Sequence, residues 1–301
     1  MKVMKKTSLL KQLILSPEIL IMPGVYDALS ARIVEQSGFN SVVIGGYATT
    51  TALLGKPDVG LLGFSEMLNH ARYIAGAVEI PVFADADTGY GNVTNVQRTI
   101  REYERAGVAG LFIEDQVFPK RCGHMEGKEV IPVMEMTAKI KSAVDAREDL
   151  DFIVMARTDA LAIWGLEETI DRANRYVEAG ADAVFVEAPR TETEMRQLAR
   201  AIEAPLFASM LEGGKTPVFT PAVLEEMGFK GVFYGLSTLY AAAWAARAVL
   251  AEIRVRGTTE AYLNRMITFH EFNALVGLAQ IREKEQSYDR QSTQVMKGPL
   301  S

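Results

Sequence analysis

Short apolar runs alternate with helical patterns along the whole 301-residue chain, and that alternation leaves few architectures open. The runs occupy residues 19–23, 41–46, 80–87, 110–116, 151–159, 183–189, 205–211 and 231–236. Brief runs of this kind, bounded by glycine or polar residues, read as strands buried on both faces. A helix precedes the first run. Others are expected through Ala31 and Val34, and over 95–106, 137–146, 166–179 and 192–202. Three helices run into Gly38, Gly107 or Gly180, the residue type that ends a helix in the left-handed conformation. Eight strand–helix repeats predict an α/β fold of the (β/α)8 TIM-barrel type, in preference to an open doubly wound sheet. No shift in composition marks a boundary, so residues 1–301 read as one domain.

A closed barrel needs one helix after its last strand, and this chain offers two. Residues 237–256 form an Ala-rich helix and 258–282 a second one; these C-terminal helices, 238–282, are followed by a polar tail, 283–301. The second helix carries Leu263, Ile267, Leu275, Leu278 and Ile281, an apolar face for which the barrel itself has no use.

In a barrel the carboxyl ends of the strands meet at one mouth, so polar residues there form a set. Gly45, Gly46 and Tyr47 follow strand two, Asp85 and Asp87 strand three, and Glu114 and Asp115 strand four. Arg157 and Asp159 end strand five, Glu187 strand six, and Ser209 and Glu212 strand seven. Residues two apart on an extended chain share a face, so Asp85 and Asp87 can reach one ion, which suits Mg2+. The competing assignment is a pair of helix caps or loop acceptors. Buried carboxylates that outnumber the arginine among them want a divalent cation, although Glu114 can instead pair with Lys120 or Arg157. The Arg157 fork also fits an anionic carboxylate substrate.

The loop after strand four places Cys122 beside Lys120, Arg121, Gly123 and His124. Such neighbours are expected to lower the thiol's pKa and ready it for proton transfer; the alternative is an inert, buried cysteine. As the only cysteine it excludes an internal disulfide and fits a reducing cytoplasm. With 32 basic against 38 acidic residues, and no basic run beyond residues 2–6, nothing invites nucleic acid. No membrane partner is expected either. The start lacks a cleavage signature, and the longest apolar stretch, 239–253, is broken by Arg247 and Glu252.

Together, residues 120–124 (KRCGH), 85–89 (DADTG), 113–116 (IEDQ) and 156–159 (ARTD) resemble the isocitrate lyase/phosphoenolpyruvate mutase superfamily. The likeness runs from about residue 23 to 273 and is nearest to its short lyases, those acting on 2,3-dimethylmalate or 2-methylisocitrate and the petal death protein. It implies Mg2+, with Mn2+ as a substitute, held directly by Asp85, while Asp87, Glu114 and Asp58 act through water. It implies Cys122 as catalytic acid/base on a mobile loop, with Lys120 and His124 expected to tune it. The base for the hydroxyl proton is unassigned: Tyr47, after strand two, is the candidate within reach, and a packing tyrosine is the alternative. Gly45, Gly46, Gly123, Arg157, Glu187, Ser209 and Glu212 are the expected substrate contacts. The activity expected is Mg2+-dependent cleavage of a 2,3-dimethylmalate-like 2-hydroxy dicarboxylate to pyruvate and a second carboxylate, with 2-methylisocitrate cleavage as the alternative, and the assembly implied is a homotetramer of helix-swapped dimers.

Two residues depart from the family pattern: Gly45 stands where relatives carry Ser, and Ser209 where they carry Asn. Tyr240 and Phe269 stand where tricarboxylate-cleaving relatives carry arginines, with Arg247 and Arg265 as possible substitutes. The rival readings are a phosphonopyruvate-type mutase or hydrolase, which needs no Cys122, and a non-catalytic oxo-acid binding barrel.

Overall fold

The computed structural model describes residues 4–297. After helix α1 (Lys6–Leu15) come β1 (Leu20–Val25), α2 (Ala28–Gln36), β2 (Val42–Ile44), α3 (Gly46–Leu54), α4 (Phe64–Ala77), β3 (Val82–Asp85) and α5 (Val93–Arg105). There follow β4 (Gly110–Glu114), α6 (Val133–Ala146), β5 (Ile153–Thr158), α7 (Leu161–Glu178), β6 (Ala183–Val186), α8 (Glu192–Ala201), β7 (Leu206–Ser209), α9 (Pro221–Met227) and β8 (Gly231–Tyr234). Every strand pairs in parallel with the next, and β8 returns to β1 with Leu20 opposite Gly231, so the sheet closes. The (β/α)8 barrel expected from the alternation is the observed fold.

Inward side chains fill the barrel with aromatic rings. Phe233 packs against Phe207 at 5.2 Å, Phe185 at 5.5 Å and Phe83 at 6.1 Å between ring centres. Room for them comes from glycine: a Cβ on Gly231 would lie 2.0 Å from the Phe207 ring. At one end α1 supplies Leu10 and Ile14 to the same cluster, which is why the opening helix is amphipathic. Outside, a second apolar layer packs β1–β5 on their helices, and a third packs β6–β8. Each strand is thus buried on both faces, as its unbroken apolar run requires.

Local signals end the helices where the sequence indicates. Gly38, Gly107 and Gly180 all take positive φ. Asp27, Asn92, Thr191 and Thr220 cap helix starts with side-chain acceptors. Helices α3, α4 and α9 are additional to those expected from the sequence.

Compactness divides the chain into two units, 1–241 and 242–301. The division falls inside α10 (Ser237–Arg256), whose bounds match the expected helix. Beyond it the expected single helix over 258–282 is broken. A 3-10 turn covers Glu260–Arg265, then come α11 (Phe269–Leu275) and α12 (Leu278–Lys297). Thr268 and Glu271 form a capping box that starts α11 afresh, and Gly277 at φ 80° separates it from α12. The polar stretch taken as a tail from 283 continues the last helix to Lys297.

Candidate active site

At the mouth of the barrel a cavity is lined by Gly45, Gly46, Tyr47, Asp58, Asp85, Cys122, Gly123, His124, Arg157, Glu187 and Ser209. Phe112, Phe185, Phe233, Leu211 and Leu236 supply its apolar wall. Most of the expected site residues therefore converge. Asp87, Glu114 and Lys120 lie buried without lining the cavity. Glu212 does not join it: its side chain is exposed and accepts from Ser237 Oγ.

Asp85 ends β3, where the Gly46 N–H donates to Oδ2 at 2.8 Å and the Asp87 N–H to Oδ1 at 2.8 Å. The Gly46 amide, expected as a substrate contact, here holds Asp85. Asp87 sits at φ 46°, a left-handed conformation that turns the chain after the strand. Lys120 lies 2.7 Å from Asp87 Oδ1 and 2.9 Å from Asp58 Oδ2. It is thus directed to the carboxylates and not to the thiol it was expected to tune.

Arg157, at the end of β5, is held on several sides. Its Nε is 2.9 Å from Asp159 Oδ2, Nη2 is 3.0 Å from Glu187 Oε2, and Nη1 is 3.3 Å from Glu114 Oε2. The rings of Phe112 and Phe185 flank the guanidinium at 5.8 and 5.4 Å. Lys128, not among the expected site residues, is also buried: Nζ donates to Asp159 Oδ1 at 2.7 Å and to the Gly123 carbonyl. It therefore ties the cysteine loop to β5. Behind it, Asp115 accepts from the Asp159 N–H, Thr158 Oγ1 and the Tyr176 hydroxyl, so it positions Asp159 from below.

The arginine at the mouth is therefore not the only cation. Even so, Asp58, Asp85, Asp87, Glu114, Asp159 and Glu187 outnumber Lys120, Lys128 and Arg157. Neither oxygen of Glu114 accepts a hydrogen bond, and Asp87 Oδ1 has only the ionic contact to Lys120. Burial drives the Glu114 carboxyl well above the usual range despite Arg157 and Lys120. It likewise raises Asp87 to about 6, with Lys120 pulling down and Asp85 and Asp58 pushing up. Underneutralised, orphaned carboxylates fit a divalent cation. Among the described residues no group of three or more His, Cys, Asp and Glu is arranged to hold an ion alone. Mg2+ does not require one, since it binds through one or two carboxylates and keeps its waters.

The cysteine loop comes over this layer. The Cys122 N–H donates to the Asp58 carbonyl at 3.1 Å, and the Gln116 side chain brackets Arg121, accepting from its N–H at 3.0 Å and donating to its carbonyl at 2.9 Å. Burial pushes the Cys122 thiol up to about 11; the His124 N–H and Arg157 oppose it, while Glu187 and Asp58 add to it. The expected lowering is thus reversed. A thiol held protonated at neutral pH is a proton donor and not a standing nucleophile.

His124 Nδ1 accepts from the Lys215 N–H at 3.0 Å, which leaves the ring proton on Nε2, 3.2 Å from Glu187 Oε1. Burial would raise the Glu187 carboxyl, but Arg157 and His124 outweigh it and hold it at about 2. Gly123 packs so closely on Glu187 that a Cβ would stand 2.2 Å from its Cγ. Tyr240 is raised by burial, with Tyr47, Cys122 and Glu212 adding to it. Among the described residues, no helix is long and apolar enough to cross a membrane.

Known proteins show the same plan. The family model for phosphoenolpyruvate phosphomutase matches residues 10–254. The chain is 43% identical over 285 residues to 2,3-dimethylmalate lyase of Eubacterium barkeri, covering 95% of this chain and 99% of that one. It is 50% identical over 274 residues to the chloroplastic carboxyvinyl-carboxyphosphonate phosphorylmutase of Arabidopsis thaliana, covering 90% and 81%. Among solved structures, oxaloacetate acetylhydrolase with the inhibitor 3,3-difluorooxalacetate superposes with a TM-score of 0.90 at 34% identity, covering 95% and 97%. With its barrel, its carboxylate mouth and its cysteine loop, the chain belongs to the phosphoenolpyruvate phosphomutase family, in the superfamily that also holds isocitrate lyase.

Proposed function

We propose that this chain cleaves the C2–C3 bond of a 2-hydroxy dicarboxylate of the 2,3-dimethylmalate type, releasing pyruvate and propionate. It is a carbon–carbon lyase of its superfamily. The substrate assignment rests on one observation: among the described residues Arg157 is the only lysine or arginine lining the mouth, and the wall around it is apolar, from Phe112, Phe185, Phe233 and Leu211. One fixed cation suits a small dicarboxylate with methyl substituents, the second carboxylate being left to a bound metal.

Asp85, with Asp87, Glu114 and Asp58, would hold Mg2+, or Mn2+ in its place. When bound, the ion supplies Lewis-acid stabilisation of charge on the oxo-acid fragment. Arg157, steadied by Asp159 and Glu187, orients the substrate carboxylate. Loss of the hydroxyl proton to solvent lets the O–H electron pair form the carbonyl of pyruvate while the C2–C3 pair remains on C3. Tyr47 lines the mouth and would be the group to meet that hydroxyl. Cys122 then delivers its proton to C3, giving propionate and a thiolate that is reprotonated from water. Gly123, Lys128 and His124 hold the loop over the cavity, so the carbanion meets the thiol and not bulk water.

The phosphorylmutase name of one relative raises the rival reading. Cys122 over the mouth favours the lyase, because phosphoryl transfer has no use for a carbon acid's proton donor. The free thiol suits a reducing compartment such as the cytoplasm. We further assign a homotetramer built from dimers that exchange C-terminal helices. In the second unit Trp244, Leu263, Ile267 and Ile281 are exposed, as such an exchange requires.

The test is a panel of 2-hydroxy di- and tricarboxylates with Mg2+, followed by detection of the released 2-oxo acid. Pyruvate from 2,3-dimethylmalate, lost with chelator and in Asp85→Ala, is the expected result. Turnover of phosphonopyruvate alone would overturn it.

A further inference from the structure

A second cavity of about 560 Å³ lies between the start of α4, the β3–α5 loop, the β4–α6 loop and α6. It shares no lining residue with the mouth. Leu62, Phe64, Tyr90, Val117, Phe118 and Ile131 make its walls apolar. Into this setting α6 sends Lys139, only 5% exposed. Its ammonium has three N–H donors and poor partners: the Thr88 carbonyl at 3.3 Å and Glu135 Oε1 at 3.7 Å, the latter side chain 51% exposed. A buried ammonium so weakly paired is costly, and an anion beside it would relieve that cost. Burial accordingly lowers the Lys139 pKa further than Glu135 can raise it.

We propose that this cavity is a second, non-catalytic ligand site for an amphipathic monocarboxylate, its carboxylate on Lys139 and its apolar body against Phe64, Tyr90 and Phe118. The volume falls in the range of ordinary small-molecule sites, and a single amine above apolar walls selects one negative charge and a hydrocarbon body. Polyphosphates would find too few donors here. The site also touches both roots of the catalytic mouth. Thr88, whose carbonyl Lys139 now contacts, directly follows Asp87, and Gln116, whose side chain brackets Arg121, directly precedes Val117 in the cavity wall. An occupant that draws Lys139 from Thr88 and packs on Phe118 is therefore sensed by the carboxylate loop and the cysteine loop together. The site itself does not depend on which hydroxy acid the enzyme cleaves.

The probe is octanoate, titrated calorimetrically into the full chain with Mg2+, against octanol, which has the same body without the charge. Octanoate is expected to bind at least about tenfold more tightly than octanol, an electrostatic increment in keeping with a partly buried charge pair. Lys139→Met, which keeps the apolar stem, should erase the difference. Glu135→Gln, at an exposed position, removes the competing carboxylate and should strengthen octanoate binding while leaving octanol unchanged. If Lys139→Met does not fold, Glu135→Gln decides alone. Octanoate that fails to bind, that binds Lys139→Met as well as the parent, or that is indifferent to Glu135→Gln overturns the proposal.

Discussion

Lys120 Nζ lies 2.7 Å from Asp87 Oδ1 and 2.9 Å from Asp58 Oδ2, so a side chain of the cysteine loop is the counter-charge of one carboxylate that lines the mouth and one buried beside it. Loop position and carboxylate charge are thereby linked. Deleting one partner of a buried ion pair strands the other, at a cost of about 3–5 kcal/mol. Lys120→Met should therefore melt well below the parent in chelator. Mg2+ should raise its melting temperature by more than it raises the parent's, because the ion then neutralises Asp87 and Asp58 alone. Equal Mg2+-induced shifts in a thermal scan would show that Lys120 and the ion do not share these carboxylates.

The two mouth glycines make opposite demands. A Cβ on Gly45, at φ −103°, would meet nothing within 4 Å, whereas one on Gly46 would stand 2.8 Å from Lys120 Nζ and 2.9 Å from Asp85 Oδ2. Gly45→Ser places a hydroxyl at the lining of the mouth without strain, and a hydrogen bond to a substrate carboxylate should lower KM by roughly tenfold. Gly46→Ala should lower turnover by two orders of magnitude or more, since it displaces Asp85. Steady-state kinetics on both variants check this, and a tolerant Gly46→Ala would break the link between that amide and the carboxylate.

With the thiol near 11, the donor form of Cys122 is fully present at neutral pH and is lost only as pH rises through that value. The limb of the kcat profile set by this group should be flat on its acid side and fall on the alkaline side. Cys122→Ser should remove that limb and reduce kcat by about 10²–10⁴, the usual worth of a positioned acid. Alkylation of the native thiol by iodoacetamide at neutral pH should be slower than that of free cysteine, because little thiolate exists. Rapid alkylation at pH 7 would mean that the pKa is lowered after all.

That reversal shows what could and could not be read from sequence. The eight strands were legible because each is a local apolar run, and the mouth residues because a barrel fixes which strand end they occupy. The thiol's pKa was not, since it depends on which way neighbours turn: Lys120 points to Asp87, while Glu187 and Asp58, distant in sequence, reach the cysteine. Lys128 was missed for the same reason, its partner Asp159 lying 31 residues away. The break at Thr268–Glu271 is different. The capping-box spacing was present in the sequence and was overridden by the continuous apolar period around it.

The assembly is open to direct measurement. Leu263 is 60% exposed and Ile281 55%, an apolar surface that a lone chain would leave in water. Light scattering at micromolar concentration should give the mass of a tetramer. Leu263→Asp with Ile281→Asp should shift it toward smaller species while the barrel's circular dichroism persists. A monomeric parent would remove helix exchange from the account.

Substrate size gives the sharpest discrimination. Tyr240, one of the two positions where tricarboxylate-cleaving relatives are expected to present an arginine, is an uncharged phenol, and Phe269, the other, is exposed in the second unit. A third carboxylate brought into the mouth would find Arg157, held by Asp159, Glu187 and Glu114, already taken up by the first, and no second arginine among the described lining residues. An unpaired charge there costs several kcal/mol, whereas a methyl group against Phe185 or Leu211 gains about 1 kcal/mol. The kcat/KM for 2,3-dimethylmalate should therefore exceed that for 2-methylisocitrate by at least about a hundredfold, and Tyr240→Arg should narrow the gap by improving the tricarboxylate alone. Equal efficiencies in the parent enzyme would instead direct attention to Arg247 and Arg265 as the missing cations.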